Sequence, residues 1–570
     1  MKRLILASML AAAPVVANAD RVPDPNPTAA STPNPAAFPV TIAIDAGRPG
    51  KIVDPVWRFF GADEPNYATM KDGRTTLATL GALAPDQVYF RTHNLLTSGD
   101  GTPALKWGST GIYGEDANGA PVYDWTVVDR IFDTYRARGI KPYVELGFMP
   151  EALSTRPIPY QHDWRPGSGT LRTGWAYPPR DYDRWETLIY QWVRHCIDRY
   201  GRDEVASWYF ETWNEANLPQ YYWGGTRAEF FRLHDAAIRG VRRALPQARV
   251  GGPDSAGAGD DFLTAFMAHA QAAGTPTDFL SFHAKGQPDV IQDATGRHVR
   301  MGLNTHLKAA DHEFAAIAAS PAFRNKPIII GESDPEGCAA CQGPANAYRN
   351  GTMYSSYTAA SFPRLLALAE RRSLTLRGIL TWAFEFEDQP PFAGFRQLTS
   401  NGIDLPVMNM FKLFAKLTGR YVPAVSDHQL GLDAVMRDGV RGAADVGSVA
   451  SIDGRSLAVL VWHYHDDDLP GPDAAIRLRL RNLPPAFARG ALVTQYRIDG
   501  MHSNSFAAWR AMGSPLAPTD AQRATLLKAA ALATIGTTPI RLSPRQGDAD
   551  LAFDLPRQGV ALLVATPPSG

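Results

Sequence analysis

The chain has little cysteine, no excess charge of either sign and no apolar run long enough to cross a membrane. Three cysteines among 570 residues are too few for a disulfide-dense fold. Lys+Arg and Asp+Glu are both 57, so nothing in the net charge favours nucleic acid or an anionic membrane. With 45% hydrophobic residues, the composition is that of a globular protein with a sizeable core.

Several functional motifs are also missing. The sequence contains no Gly-x-Ser-x-Gly elbow, which argues against a serine esterase of the α/β-hydrolase type. No cluster of metal ligands and no phosphate-binding glycine-rich loop stands out either. We therefore expect no cofactor and no metal.

The N-terminus has the pattern of a secretory signal peptide. Lys2 and Arg3 precede an apolar stretch at residues 4–16, which is too short to span a bilayer, and Ala17 and Ala19 supply a small-x-small cleavage pattern. We expect residues 1–19 to be removed, and residues 20–38, rich in Pro and Ala, to form a flexible leader. This predicts a periplasmic or extracellular protein without a membrane anchor.

The cysteines allow more than one interpretation. Cys196 lies in a helical pattern, where a buried apolar role is expected. Cys338 and Cys341 are spaced for a short-loop disulfide, which we favour as a structural clip behind Glu332. A redox role lacks a thioredoxin-like context, and zinc lacks further ligands at suitable spacing.

Strand and helix patterns alternate eight times over residues 57–418. This alternation predicts a parallel sheet closed into a (β/α)8 barrel, an α/β fold. The second unit carries an insertion at residues 97–124, expected to cover the active-site face. The predicted strands are residues 57–61, 87–92, 141–148, 206–212, 248–253, 278–283, 327–331 and 378–386.

Beyond residue 418 the pattern changes to period-two strands broken by Pro and Gly. Residues 419–570 therefore predict an appended antiparallel β-sandwich with a single helix at residues 521–532. The alternating segment at residues 39–56 precedes the barrel and is expected to join that sandwich.

Two carboxylates end predicted barrel strands. Glu215 follows Trp213 and Asn214, and Glu332 follows an Ile-Ile-Ile-Gly run. Because active sites of these barrels form at the carboxyl ends of the strands, both side chains are expected at one mouth. Two such carboxylates suit glycoside cleavage, with Glu215 as acid/base in aromatic surroundings that raise its pKa, and Glu332 as nucleophile. Asp334 and Glu336 remain alternatives to Glu332.

Other side chains at predicted strand ends are candidates for substrate contact. Asn214 is placed to bond a sugar 2-hydroxyl. Lys285 would hold a substrate carboxylate, or else be a solvated loop residue, and Arg396 is a weaker candidate of the same kind. The remaining candidates are His93, Phe148, His283, Trp382 and Glu385.

Several stretches together resemble glycoside hydrolase family 39, in particular its bacterial β-xylosidases, from about residue 54 to the C-terminus. They include Arg91-Thr-His93, the run from Tyr209 to Glu215, Val250-Gly-Gly-Pro-Asp254 and the segment from Tyr496 to Asn504. The resemblance implies a retaining double displacement, with Glu215 matching the family acid/base and Glu332 the nucleophile. Asn214, His93, Phe148, His283 and Trp382 match positions lining the first subsite, and Glu385 falls near the family's acidic pair.

The likeness is not uniform. Ala216 replaces the usual Pro, Ser333 follows Glu332 where the xylosidases have Trp, and Lys285 stands where they tend to have Tyr. The change at Ala216 concerns loop stiffness more than chemistry. The patterns His283-Ala-Lys285-Gly and Glu332-Ser-Asp-Pro resemble instead the family's α-L-iduronidases, in which a lysine at this position contacts the uronate carboxylate.

The sequence therefore predicts an exo-acting β-D-xylosidase that takes an oligosaccharide and releases xylose from its non-reducing end. An α-L-iduronidase-like or other pyranosidase, and a non-catalytic carbohydrate-binding protein, are the alternatives. The oligomeric state stays open.

Overall fold

A computed structural model describes residues 36–158, 160, 174–219, 221–257, 259–454, 456–545 and 547–568. The expected signal peptide and residues 20–35 of the expected leader lie outside them. Within these ranges no helix combines the length and the apolar character needed to cross a membrane.

Eight parallel strands close into a barrel, which confirms the predicted fold class. Each strand is almost wholly buried because helices cover it outside and side chains fill it inside. In chain order the barrel strands are β1 Phe59–Ala62, β2 Val88–Thr92, β3 Ile140–Leu146, β4 Tyr209–Thr212, β5 Arg249–Ser255, β6 Phe279–Lys285, β7 Pro327–Asp334 and β8 Thr375–Thr381.

The helices present apolar faces to this sheet. Asp181 caps one helix with its side chain, and Thr226 and Glu229 form a capping box on another, which fixes where both begin. The helices associated with the barrel are Lys71–Leu83, Thr126–Ala137, Tyr182–Tyr200, Arg202–Ala206, Arg227–Ala244, Phe262–Ala273, Leu303–Ala318, Thr352–Arg371 and Pro406–Phe414.

The pairing register shifts near the carboxyl ends of two strands. One shift lies between Pro253 and Ser255 where β5 pairs β6, and the other between Ile330 and Glu332 where β7 pairs β6. Such irregularities bend a strand and re-aim its side chains. Both fall where the sequence places polar side chains.

Short hairpins and 3₁₀ turns decorate the barrel. The insertion at residues 97–124 contains the hairpin Tyr113–Glu115 and Pro121–Tyr123. The other hairpins are Asp289–Asp293 with Gly296–Arg300, and Thr399–Ser400 with Ile403–Asp404, and the 3₁₀ turns are Pro65–Thr69, Glu151–Leu153, Gly174–Ala176, Pro344–Asn350 and Pro485–Phe487.

Two sheets form the C-terminal sandwich, with a second hydrophobic core between them. The strand Phe38–Asp45 lies inside the smaller sheet, parallel to Ala474–Arg481 and antiparallel to Ala424–Ser426. The smaller sheet is completed by Ala549–Leu555, and the larger contains Arg420–Val422, Asp445–Ile452, Leu457–Tyr464, Ala491–Ile498, Ala533–Thr534, Ile540–Leu542 and Val560–Thr566.

The sandwich region has more helix than the sequence predicted. Asp520–Ala530 corresponds to the expected helix, but Leu432–Asp438 and Ser505–Ala511 are also helical. Each of these two spans only seven residues, which is too short to display a clear 3.6-residue period.

Candidate active site

Arg91, at the carboxyl end of β2, is the centre of a buried cluster of charges. Its guanidinium is inaccessible to solvent and contacts four carboxylates from four other strands. Nη2 lies 2.8 Å from Glu145 Oε2 and also pairs with Asp254, Nε pairs with Glu211, and Nη1 lies 3.4 Å from Glu332 Oε1. Arg91 thus draws the ends of these strands together.

Glu215 and Glu332 face each other in this cluster. One carboxylate oxygen of each, with one ring nitrogen of His283, lies within a set of atoms no more than 4.8 Å apart. Lys285 lies between them, with Nζ 3.1 Å from Glu215 Oε1 and 2.6 Å from Glu332 Oε2. The structure therefore brings both predicted carboxylates to one mouth of the barrel.

The surroundings of Glu215 are cationic rather than apolar, which corrects the sequence expectation. Burial alone raises a carboxyl pKa, but Lys285 and the hydrogen bond from His283 outweigh it and hold the pKa of Glu215 well below its usual range. Burial likewise opposes the charge on Glu332, whose pKa Lys285 and His283 lower nonetheless. The sequence could not show that a strand-end lysine reaches both carboxylates.

His283, at the inner face of β6, joins two carboxylates. Its Nδ1 lies 2.8 Å from Glu215 Oε1, and its Nε2 lies 2.8 Å from Asp254 Oδ2. Asp254 and Glu215 both have a positive φ, 51° and 44°, in the left-handed region that side chains other than glycine rarely adopt. Such backbone is held only where the surroundings impose it, and functional sites are a common place for it.

His93 is connected through Asp63 to the insertion at residues 97–124. Its Nδ1 lies 2.8 Å from Asp63, and the other oxygen of that carboxylate lies 2.6 Å from Nζ of Lys106. Burial and Arg91 lower the pKa of His93 against the pull of Asp63, which favours the neutral ring. Lys106 belongs to residues 97–124, so this insertion contributes to the site, as its position in the second unit predicted.

Aromatic rings line one side of the cluster. Phe148 lies with its ring centre 5.6 Å from that of His93, and Trp382 lies 4.3 Å from His93 on another side. Tyr222 and Trp175 extend this wall, at 6.0 Å and 4.5 Å from Phe148. Phe148 and Trp382 were expected here, and Tyr222 belongs to the aromatic loop after Glu215 that was expected to surround that residue. Trp175 was not expected.

The two polar atoms of the Asn214 side chain differ in their hydrogen bonding. Its Oδ1 accepts a hydrogen bond from Arg91 at 3.0 Å. Its Nδ2 is buried and has no hydrogen-bond partner among the described residues. A buried donor without a partner is costly, so this amide is poised to meet an acceptor on a ligand.

Glu385 lies apart from the other candidates. Its carboxylate accepts from Thr399 Oγ1 at 2.6 Å and from the backbone N–H groups of Asn401 and Gly402 at 3.0 and 3.1 Å. All of these bonds hold the loop after β8. The sequence placed Glu385 near a strand end but gave no signal of which way it turns.

Arg396 is more central than the sequence indicated. It is fully buried, pairs with Glu336 and lies 3.3 Å from Asp334. Both acids that were alternatives to Glu332 are therefore engaged by Arg396, and burial raises the pKa of Asp334 to about 7. Glu332 is the acid of this strand that faces Glu215.

The cysteines take the places expected for structural residues. Cys338 and Cys341 form a disulfide, and Arg349 donates to backbone carbonyls of both residues. Cys196 is buried and unpaired. The disulfide therefore closes a loop that Arg349 fastens close behind the strand of Glu332.

The set Glu215, His283 and Glu332 has the spacing of a metal site. Its donors do not fit a metal, however. The ammonium of Lys285 already contacts both carboxylates, and both nitrogens of His283 are hydrogen-bonded to carboxylate oxygens. A cation entering this space would meet like charge.

A model of the glycosyl hydrolases of family 39 matches residues 40–543. The chain belongs to glycosyl hydrolase family 39. It is therefore an O-glycosyl hydrolase, as the sequence predicted, rather than the alternative of a non-catalytic binding protein.

Relatives of two kinds, β-xylosidases and α-L-iduronidases, cover most of this chain. A β-xylosidase of Geobacillus stearothermophilus is 27% identical over 76% of this chain and 77% of its own length. Human α-L-iduronidase is 25% identical over 91% of this chain and 75% of its own length. The family is thus shared, while the sugar differs between the relatives.

Solved structures of family 39 have the same fold. A GH39 enzyme from Xanthomonas axonopodis pv. citri superposes with a TM-score of 0.72 at 25% identity, covering 93% of this chain and 98% of that one. A monomeric β-xylosidase from Caulobacter crescentus gives 0.72 at 23% identity over 93% of this chain and all of that one.

Proposed function

We propose that the protein is a retaining, exo-acting β-D-xylosidase that releases xylose from the non-reducing end of xylo-oligosaccharides. The observation that carries the proposal is the approach of Glu215 and Glu332, with one oxygen of each inside the 4.8 Å set. Retaining glycosidases have carboxyl groups about 5–5.5 Å apart, whereas inverting enzymes leave room for a water between them. The β-xylosidase relatives support the choice of sugar.

In this mechanism Glu332 attacks the anomeric carbon while Glu215 gives a proton to the leaving oxygen. A covalent glycosyl-enzyme forms, and Glu215 then takes a proton from water that attacks the same carbon. The lowered pKa of Glu332 suits a nucleophile that must be ionised. The free Nδ2 of Asn214 would meet the 2-hydroxyl oxygen, a contact that tightens in the transition state.

The lowered pKa of Glu215 requires a step before the chemistry. A general acid must carry its proton when the glycosidic bond breaks. Because Lys285 Nζ contacts both carboxylates in the space between them, a sugar entering there displaces the ammonium from Glu215. Loss of that contact raises the pKa of Glu215 and allows it to take up a proton.

One observation favours a second candidate, a uronidase of the α-L-iduronidase type. Lys285 offers an ammonium group inside the first subsite, and a carboxylate on the sugar would pair with it once it leaves Glu215 and Glu332. The iduronidase relatives support this alternative.

The deciding experiment compares hydrolysis of an aryl β-D-xylopyranoside and an aryl α-L-iduronide by the same purified protein. We expect turnover of the xyloside, and proton NMR of the first product should show β-xylose before mutarotation. Turnover of the iduronide alone would select the uronidase. First formation of α-xylose would overturn the retaining mechanism.

The roles of the two carboxylates are tested by leaving-group dependence. Glu215→Gln should remove activity on a phenyl glycoside and largely spare a dinitrophenyl glycoside in the first step, because a good leaving group needs no proton. Equal losses on both substrates would contradict the acid/base role. Glu385→Gln, which alters a buried carboxyl outside the cluster, is the matched control.

A further inference from the structure

Asp254, at the end of β5, is tied to both candidate catalytic strands and is assigned no role by the mechanism above. Its backbone carbonyl accepts a hydrogen bond from the N–H of Glu215 at 3.0 Å. Its carboxylate pairs with Arg91 and lies 2.8 Å from Nε2 of His283. The residue is fully buried, and its other carboxylate oxygen, Oδ1, has no hydrogen-bond partner among the described residues.

The nucleophile strand is shaped around the same carboxylate. A Cβ placed on Gly331, the residue before Glu332, would collide with the carboxylate of Asp254. The shift in pairing at Pro253 and Ser255 and the φ of 51° at Asp254 turn the side chain into this position. Asp254 therefore contacts the backbone of Glu215 and lies against Gly331, the residue before Glu332.

His283 connects Asp254 to the acid/base candidate. The charged groups that face its ring are Asp254 on Nε2, Glu215 on Nδ1, Glu332 Oε1 at 3.9 Å from Nδ1, and Lys285 on its own strand. Since carboxylate oxygens accept, both ring nitrogens must donate when the two carboxylates are ionised. Burial opposes this charge, but Asp254 and Glu332 raise the pKa of His283 to about 10.

The two oxygens of Glu215 are therefore unequal. Oε1 receives His283 Nδ1 and Lys285 Nζ, at 2.8 and 3.1 Å. In the described part of the chain no hydrogen bond reaches Oε2. An oxygen that already accepts is a poor place for a proton, so the proton to be transferred belongs on Oε2.

We propose that Asp254 is a positioning residue that keeps His283 protonated on both nitrogens and thereby commits Oε1 of Glu215 to accept and Oε2 to carry the catalytic proton. The inference rests on the proposed acid/base role of Glu215. Asp254 acts through His283, because its carboxylate contacts Nε2 of that ring and the guanidinium of Arg91.

The variant Asp254→Asn distinguishes this electrostatic role from a purely structural one, because it keeps the size of the side chain and removes its charge. The amide oxygen still accepts from Nε2, but the negative charge is gone, so the imidazole loses the proton on Nδ1. Glu215 then loses a cationic donor and its pKa rises. A proton drawn to Oε1, between the carboxylate and Nδ1, faces away from the leaving group.

The test is the pH dependence of kcat/KM on the aryl glycoside that the enzyme hydrolyses. For Asp254→Asn we expect the alkaline limb to move up by about 1 pH unit or more, which is the shift that loss of a nearby opposite charge produces. We also expect a larger loss of kcat on the phenyl than on the dinitrophenyl substrate. Lower activity with an unmoved alkaline limb would reduce Asp254 to a structural residue and overturn the proposal.

Asp63→Asn is the matched control. Asp63 is also buried and also bonds an imidazole, but that ring is His93 rather than His283. Burial opposes its charge, yet Lys106 and His93 hold the pKa of Asp63 well below its usual range, so the variant removes a negative charge as Asp254→Asn does. We expect lower activity of Asp63→Asn on every substrate and an alkaline limb that stays in place. A shift as large as that of Asp254→Asn would show that loss of any buried carboxylate charge near the site suffices, which would contradict the proposal.

A direct measurement on the unaltered protein avoids any problem of folding. The imidazole nitrogens of His283, assigned in ¹⁵N NMR spectra by their loss in His283→Gln, should both be protonated at pH 7. Finding one protonated nitrogen would overturn the proposal. Because this readout needs no substrate, it is independent of whether Glu215→Gln supports the acid/base role.

Discussion

The barrel interior contains two adjacent layers with opposite chemistry. The lower layer is aromatic, and neighbouring rings lie with centres 4.9 to 5.2 Å apart in the pairs Tyr89 with Tyr209, Phe59 with Tyr89, and Tyr209 with Phe279. The upper layer is the charged cluster around Arg91. Tyr89 and Arg91 lie two positions apart on one strand, as do Tyr143 and Glu145, and Tyr209 and Glu211.

Because side chains on a strand alternate between faces, residues two apart point the same way. The same strands therefore supply a ring to the lower layer and a charge to the upper one. The lower layer needs only volume and apolar surface, whereas the upper layer needs each charge matched by a partner. Residues that stabilise the barrel and residues placed for the chemistry thus lie two positions apart on the same strands.

The largest expected effect is on the chemistry of the upper layer. Glu332→Gly should lower turnover by about four orders of magnitude or more, since the nucleophile is lost. The melting temperature should fall, because Lys285, His283 and Arg91 stabilise the charge of Glu332 more than Glu215 repels it, and the variant leaves these buried cations with one carboxylate fewer. Added azide, which fits the vacated space, should restore turnover on a dinitrophenyl glycoside. Wild-type turnover in the variant would sink the assignment of Glu332.

The opposite pattern is expected in the lower layer. Phe59→Ala removes a ring that contacts three tyrosines and should cost about 3–5 kcal/mol of stability, as other large-to-small core changes do. The folded fraction should keep a near-normal KM. Melting temperature and KM, measured side by side, check this, and a normal melting temperature would show that the rings are not a stabilising layer.

A smaller effect concerns the charge balance between the carboxylates. Lys285→Met should raise the pKa of Glu215, so activity that requires its protonated form persists to higher pH. We expect the alkaline limb of kcat/KM to move up by about 1 unit. Lys106→Met, which removes a buried cation beside His93 instead, should leave that limb unchanged. An alkaline limb that moves to lower pH in Lys285→Met would contradict the view that Lys285 lowers the pKa of Glu215.

The smallest effect lies at the contact between the layers. The hydroxyl of Tyr143 donates a hydrogen bond to Glu211 Oε2 at 2.8 Å. This bond connects a ring of the aromatic layer to the charged cluster. Tyr143→Phe should cost about 1 kcal/mol and raise the pKa of Glu211 further, above its present value of about 8. Denaturant unfolding measures the first effect. An unchanged midpoint would mean that the two layers are energetically independent.

The lower layer and the barrel itself could be predicted from sequence because both follow local patterns. Each strand is a short apolar run, and each predicted strand overlaps an observed one. The positions of Glu215 and Glu332 followed from the same rule, since a residue ending a parallel strand must lie at the carboxyl mouth.

The pairings of the upper layer could not be predicted in this way. Asp254 follows Gly-Gly-Pro, where a turn residue is the ordinary interpretation, and nothing local reports its positive φ or its approach to Gly331. Lys106 comes from an insertion whose path depends on the whole mouth. Lys285 was assigned to a sugar, but in the structure it lies between two carboxylates. Such contacts join strands that are far apart in sequence.

The strand Phe38–Asp45 has a consequence for how the chain is made. It pairs with Ala424–Ser426 and Ala474–Arg481, so its partners emerge from the ribosome at least 380 residues later, which is the separation of Ile44 from Ala424. Until then its apolar face, with Val40, Ile42 and Ile44, has no sheet to join. A chain interrupted after the barrel would keep this unpaired strand, a template for aggregation. The strand Phe38–Asp45 is therefore completed into a sheet only by residues that are synthesised after the whole barrel.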